Sequence, residues 1–199
     1  LLPSMIESLR RNVTRGQRDA ALYGVEQVSV PKSAEQFSPM PSVKQRPSDA
    51  ELSELLDSLP AQPLHVAVVA TGNRQLQGTW GAPEAFTAAD AIESARVVAR
   101  AAGVEITLRN AEYLPWHPGR CAEILVGETV VGHAGELHPQ VLEALGLPTR
   151  TCAMEIDLTS LPLTEKLPAP VLSSFPALHQ DVALVVDEEI PAESVRRTL

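Results

Sequence analysis

Two short stretches constrain the fold of this chain more than any others. CAEILVGETVVG, residues 121–132, is a pair of β-branched and apolar arms joined by Gly127-Glu128. A two-residue loop with Gly in first place is what a type II′ turn demands, because that position takes a positive φ. CAMEIDL, residues 152–158, alternates Cys152, Met154, Ile156 and Leu158 on one side with Glu155 and Asp157 on the other, the two-residue period of a strand with one buried face. A hairpin together with an alternating strand commits the chain to antiparallel sheet, and the helical patterns around them make it α+β, an antiparallel sheet with flanking helices.

Leu2, Met5, Ile6, Leu9 and Val13 recur at helical spacing, with Pro3 in the first turn and Gly16 beyond the last, which predicts an amphipathic helix over 3–15. Arg10, Arg11, Arg15 and Arg18 gather towards its carboxyl end, where cations suit the helix dipole; the same row is a candidate contact for RNA or for another subunit. AALYGVEQVSV, 20–30, reads as a strand of mixed alternation. Six prolines between Pro31 and Pro63 mark an irregular insertion, within which Ser48 and Glu51 form a capping box ahead of Leu52, Leu55, Leu56 and Leu59, predicting one helix. LHVAVVATG, 64–72, is apolar enough to be a strand covered on both faces. A second long helix starts at Thr87, presents Ile92, Ala95, Val98 and Ala102 as a narrow stripe and stops at Gly103. VEITL, 104–108, follows as a strand, and HPQVLEALG as a helix with Pro139 in its first turn, Val141, Leu142 and Leu145 inward, and Gly146 as its stop. After the proline-rich joint LPLTEKLPAP, the remainder gives a strand at 181–186 and an incipient helix after Pro191. The chain thus divides into a body over 1–166, with the divergent insertion at 31–63, and a second segment over 167–199 too short to bury a core of its own, which reads as a truncated domain.

The formal net charge is −9, which disfavours a free-standing nonspecific nucleic-acid binder, since phosphate neutralisation needs clustered Lys and Arg; any RNA contact must be local, and DNA is not expected as a partner. Cys121 and Cys152 lie far apart without CxxC spacing, as free thiols in a reducing cytoplasm would. No long apolar run suggests a membrane span and no leader is visible, so no membrane partner is expected. The absence of an initiator Met makes the chain read as a fragment.

Chemistry-bearing motifs are scarce. His117, His133, His138 and His179 fall in no metal-ligand spacing. Ser174, His179 and Asp181 occur in order but without a GxSxG elbow. VATGNRQLQGTWG has glycines but neither a GxxxxGK[ST] loop nor a GxGxxG leading into a helix. HPGR, 117–120, stands out because Gly119 permits an unusual backbone angle while His117 and Arg120 offer donors to a phosphate or carboxylate; a turn entering the strand at Cys121 is the preferred reading. No catalytic residue and no metal ligand is assigned.

LLPSMIESLRRNVTRG, HPGRCAEI, VGHAGELHPQV, TCAMEIDL and FPALHQDVALVV, taken together and in this order, resemble the beta-subunit family of bacterial phenylalanyl-tRNA synthetases. The resemblance runs through the chain except for the divergent stretch at 31–63. It implies a copy of the class II synthetase core that has lost its active site, followed by the opening of a ferredoxin-like anticodon-binding domain. It further implies a place in an assembly of two alpha and two beta subunits that uses ATP and Mg²⁺ to join phenylalanine to tRNA(Phe), with neither cofactor bound to this chain. The first helix and the sheet face after it would pack on the catalytic alpha subunit, and Arg196 and Arg197 would be phosphate contacts or a solvated helix face.

Catalytic class II cores clamp ATP phosphates with one strand arginine and another at the start of a late helix. The stretch resembling the first, YGVEQVS at 23–29, has Glu26 and Gln27 in place of a cation, and GHAGELHPQVLEAL, resembling the second, has no Arg. The chain also departs from its relatives where Asp-Phe-Phe-Asp and Lys-Gly are usual: here stand Asp90-Ala91-Ile92-Glu93 and Ser94-Ala95. Two rivals follow different chemistry. An adenylate-forming ligase relative needs a phosphate-binding Arg or Lys beside a glycine-rich loop, and a free-standing RNA-binding module needs a continuous basic face.

Overall fold

The computed structural model describes residues 1–32, 39–79, 81–163 and 169–199. The sequence reading at 33–38, at Trp80, at 164–168 and for the side chain of Arg197 lies outside the described residues. The chain separates into two compact units, Leu1–Lys166 and Leu167–Leu199.

In chain order the first unit opens with α1, Leu2–Thr14, which buries Leu2, Ile6 and Leu9, and β1, Ala20–Gln27. Then come α2, Asp49–Ser58, β2, Leu64–Thr71, a minor two-stranded sheet of β3, Asn73–Gln75, and β4, Glu84–Ala85, and α3, Ala88–Ala102. The unit closes with β5, Thr107–Asn110, β6, Trp116–Val126, β7, Thr129–Leu137, α4, Pro139–Leu145, β8, Cys152–Asp157, and a 3₁₀ turn, Leu158–Ser160.

Six strands form one antiparallel sheet in the order β1-β2-β8-β7-β6-β5. The β6–β7 hairpin closes with Val126 opposite Thr129. Gly127 at its corner has φ +59°, which glycine adopts without the clash a Cβ would bring. Gly132 serves closeness instead: a Cβ there would lie 2.1 Å from the Glu155 carbonyl oxygen, so β7 meets β8 at this point only as glycine.

One face of the sheet is sealed by α3. Val66, Ala70, Ile124, Ala134, Cys152, Met154 and Ile156 lie beneath it with Ala91 and Ala95. The helix buries Ala91, Ala95 and Ala99, with Ile92, Val98 and Ala102 packed beside them. The line of contact is therefore rotated from the expected Ile92-Ala95-Val98-Ala102 stripe, because alanines let the helix axis approach the strands most closely. The Asp90 carboxylate accepts from the Thr87 backbone N–H and hydroxyl, both at 2.8 Å, and so fixes the helix start. On the opposite face, α1 covers one end of the sheet, where Leu2, Ile6 and Leu9 meet Val69, Trp116, Leu137 and Ala153.

Several local expectations change. The strand expected at 104–108 forms at Thr107–Asn110, because pairing with β6 starts at Thr107 opposite Leu125, while Val104 and Ile106 pack against the core from the connection. HPGR is not a turn ahead of a strand: it lies inside β6 as an irregularity, since Trp116 pairs Leu137 but Cys121 already pairs Gly135. Gly119 has no positive φ there, so its backbone freedom is not used. The capping box of α2 forms, with Ser48 Oγ accepting from the Glu51 N–H and Glu51 accepting from the Ser48 N–H at 2.8 Å, yet no residue of α2 is buried.

In the second unit α5, Ala192–Thr198, follows Pro191 as expected. The strand expected at 181–186 does not form; these residues have no ladder partner among the described residues, and β-branched composition alone does not satisfy backbone N–H and C=O groups without a neighbouring strand.

Candidate functional site

Register fixes which side chains share the uncovered half of the α1-side face. His65 stands opposite Asp157 and Glu26, and His133 opposite Glu155 and Glu123, while Arg109 pairs with Glu123 on the next strand. A cleft of about 350 Å³ opens there, walled by Leu2, Pro3 and Ile6 of α1 and by Tyr113, Leu114 and Pro115 before β6, with Glu155 and Asp157 in its floor. Tyr113 stacks on His133 at 3.9 Å between ring centroids, with the planes 6° apart. Trp116 lies 5.5 Å from the same imidazole and donates its indole N–H to the Ala153 carbonyl at 3.1 Å. Burial holds the His133 ring below the usual histidine range, with Glu123 pulling weakly the other way.

Each floor carboxylate already has an internal use. Glu155 accepts from the Leu2 backbone N–H at 3.2 Å and lies 3.0 Å from His65 Nδ1, tying the start of α1 to the sheet. Asp157 caps the 3₁₀ turn by accepting from the Thr159 N–H at 2.8 Å and the Ser160 hydroxyl at 2.7 Å. Glu123 holds Arg109 at 2.7 Å. The floor is thus anionic and internally partnered, and Arg109, the guanidinium in this row, is engaged.

The sequence-derived candidates do not converge on one place. Arg10 and Arg11 both fold back on Glu7, at 2.8 and 3.2 Å, and hydrogen bonds from Arg10 and then Arg11 lower the Glu7 carboxyl to about 2. Arg15 and Arg18 make no ion pair among the described residues, so they are the exposed cations at this end of α1. Arg196 pairs with Glu193 at 2.7 Å on α5.

His117 and Arg120 do meet, in a second cleft of about 360 Å³ between the irregular part of β6, α4 and the loop before β8, which Glu136, Leu142, Thr149 and Arg150 also line. Arg120 Nη1 donates to Glu136 at 2.7 Å, and the Glu136 side chain is only 8% exposed. His117 Nδ1 accepts from the Gly119 N–H at 3.0 Å. Sequence reading missed Glu136, Arg150, His65 and Tyr113. A carboxylate in the apolar run GHAGEL was the signal available for Glu136; nothing local marks the others.

Both cysteines are free and buried. Burial raises both thiols, Cys152 to about 12, with the Asp90 and Glu136 charges adding to it. Among the described residues no group of three or more His, Cys, Asp or Glu side chains is arranged to hold a metal ion, and no helix is long and apolar enough to cross a membrane.

The chain is similar to known proteins along its length. A family model described as the phenylalanyl tRNA synthetase beta chain CLM domain matches residues 1–158. The phenylalanine–tRNA ligase beta subunit of Corynebacterium jeikeium is 82% identical over 199 residues, covering 100% of this chain and 23% of that protein. The subunit of the same name from Corynebacterium efficiens is 67% identical over 196 residues, 98% of this chain and 23% of the relative. The one from Mycolicibacterium paratuberculosis is 55% identical over 198 residues, 98% of this chain and 24% of the relative. The chain therefore spans about a quarter of the length of these relatives, and with a match over 158 residues it belongs to the phenylalanyl-tRNA synthetase beta-chain CLM-domain family.

Proposed function

We propose that this chain is a structural, noncatalytic part of the beta subunit of phenylalanine–tRNA ligase. In this reading Leu1–Lys166 is a class II synthetase-like core and Leu167–Leu199 the start of a ferredoxin-like anticodon-binding domain. The assembled enzyme, with two alpha and two beta subunits in the cytoplasm, joins phenylalanine to tRNA(Phe) using ATP and Mg²⁺. This chain packs on the catalytic alpha subunit through α1 and the sheet face that follows it, and helps to hold the tRNA.

One observation supports the noncatalytic part of this reading. Carboxylates occupy the open sheet face: Glu26, Glu123, Glu155 and Asp157 share it, and Arg109 is held by Glu123. At about 4 Å, two like unit charges near a protein surface repel by about 4 kcal/mol, so these residues do not fit a nucleotide triphosphate, and no chemical step is assigned to them. What they do instead is internal: Glu155 anchors α1 to the sheet and Asp157 ends β8.

Of the surface cations, Arg15 and Arg18 are the better candidates for a partner, because Arg10 and Arg11 already spend their charge on Glu7. Arg196, paired within its own helix, is a weaker one. Coexpression of the full-length beta subunit with the alpha subunit tests the reading. The two are expected to coelute, and joint reversal of Arg15→Glu and Arg18→Glu is expected to weaken subunit assembly or tRNA affinity about tenfold, the effect of about 1.4 kcal/mol. Separate elution of the native subunits would remove the basis of the proposal.

A further inference from the structure

We propose that the cleft between the irregular part of β6 and α4 binds a phosphate group, with Arg150 and Arg120 as its guanidinium ligands and His117 as a third donor. Naming tRNA as the source of that phosphate rests on the function proposed above; the cleft's chemistry does not.

The donors are prearranged. The carboxylate of Glu136, 8% exposed, accepts from Arg120 Nη1 at 2.7 Å, which tethers one end of the guanidinium at the cleft while its other N–H groups make no hydrogen bond among the described residues. The Glu136 carboxylate offsets part of the Arg120 charge, as Glu123 does for Arg109, so the uncompensated cation of the cleft is Arg150. At His117, Nδ1 is used as an acceptor from the Gly119 N–H at 3.0 Å, so the neutral ring carries its proton on Nε2 and has one donor left. Arg150 lines the same cleft, is exposed and has no ion-pair partner among the described residues.

The backbone points the same way. Arg150 has φ +63° and is the non-glycine residue of positive φ among the described residues, a conformation that Asn or Gly would adopt with less strain. A long cation stands at a position whose backbone favours a short residue. His117 and Arg120 come from β6 and Arg150 from the loop before β8, and all three line the same cleft. Glu143 also lines the cleft; it is exposed on α4 as Arg150 is on its loop, so water and salt screen the opposing charges alike.

Arg150→Asn separates this role from a structural one, because it removes the charge while easing the backbone. In the assembled enzyme containing the full-length beta subunit, filter binding of a tRNA(Phe) transcript across a salt series is expected to show about threefold to tenfold weaker binding for the variant. The slope of log affinity against log salt should fall by about one, as for the loss of one phosphate contact, with a melting temperature equal to or above that of the native protein. In a second arm without RNA, calorimetric titration with inorganic phosphate at constant ionic strength should show binding to the native enzyme that is about tenfold weaker or lost in the variant. Unchanged transcript affinity and salt slope together with unchanged phosphate binding would overturn the proposal, as would polyglutamate binding the native enzyme as tightly as phosphate and losing the same affinity in the variant, which would make the site a carboxylate receptor. A change in the phosphate arm alone would keep the site and overturn tRNA as its source. Failure of the native assembly to make phenylalanyl-tRNA would strike the proposed function and leave the phosphate arm readable.

Discussion

The two faces of the six-stranded sheet are built from the same strands and have opposite fates. Beneath α3, side chains from β2, β8, β7 and β6 are apolar or small and almost fully buried; on the α1 side, alternate residues of those strands are apolar only under the helix and become His65, Glu155, Asp157, His133 and Glu123 beyond it. A strand's period of two lets one sequence encode both. The sealed face carries the stability, and the open one carries polar groups that tie loops and the start of α1 in place without accumulating positive charge.

That contrast can be broken first at its stronger side. Met154, fully buried at the centre of β8, should cost about 3 kcal/mol when changed to Ala, through lost burial and the cavity left, measured by denaturant unfolding. On the open face, Tyr113→Ala removes a ring 54% exposed and its stack on His133, and should cost about 1 kcal/mol. Equal losses at the two positions would abolish the distinction between the faces. The smallest effect is one of pH. Burial favours neutral His133 in the folded protein, so just below the ordinary histidine value of 6.5 the unfolded chain binds more protons, and this contribution to stability falls as pH drops through that window. Tyr113→Ala, by exposing the ring, should flatten that dependence in unfolding curves taken from pH 7 to 5.

Features governed by neighbours in sequence were legible in the sequence. The Ser48-Glu51 capping box, the Gly103 helix stop and the Gly127 hairpin corner all depend on residues within one turn of each other, and the order of helices and strands followed from periodicity. What failed depended on distant partners. β5 begins three residues late because Leu125 of β6 sets where pairing starts, and the apolar run 181–186 makes no ladder because composition does not supply a neighbour. In HPGR, the local turn reading failed: Arg120 is placed by Glu136, sixteen positions away and across the hairpin, while Gly119 keeps an ordinary φ. The second cleft was hidden for the same cause, since Arg150 reaches it from the loop that precedes β8.

The claim that this family member serves structure rather than chemistry is tested most directly by phenylalanine-dependent exchange of pyrophosphate into ATP. The full-length beta subunit alone is expected to show no exchange above background, and addition of the alpha subunit to restore it. Robust exchange by the beta subunit without its partner would contradict the account, because it would require the carboxylate-floored face, with Arg109 already bound to Glu123, to hold a triphosphate.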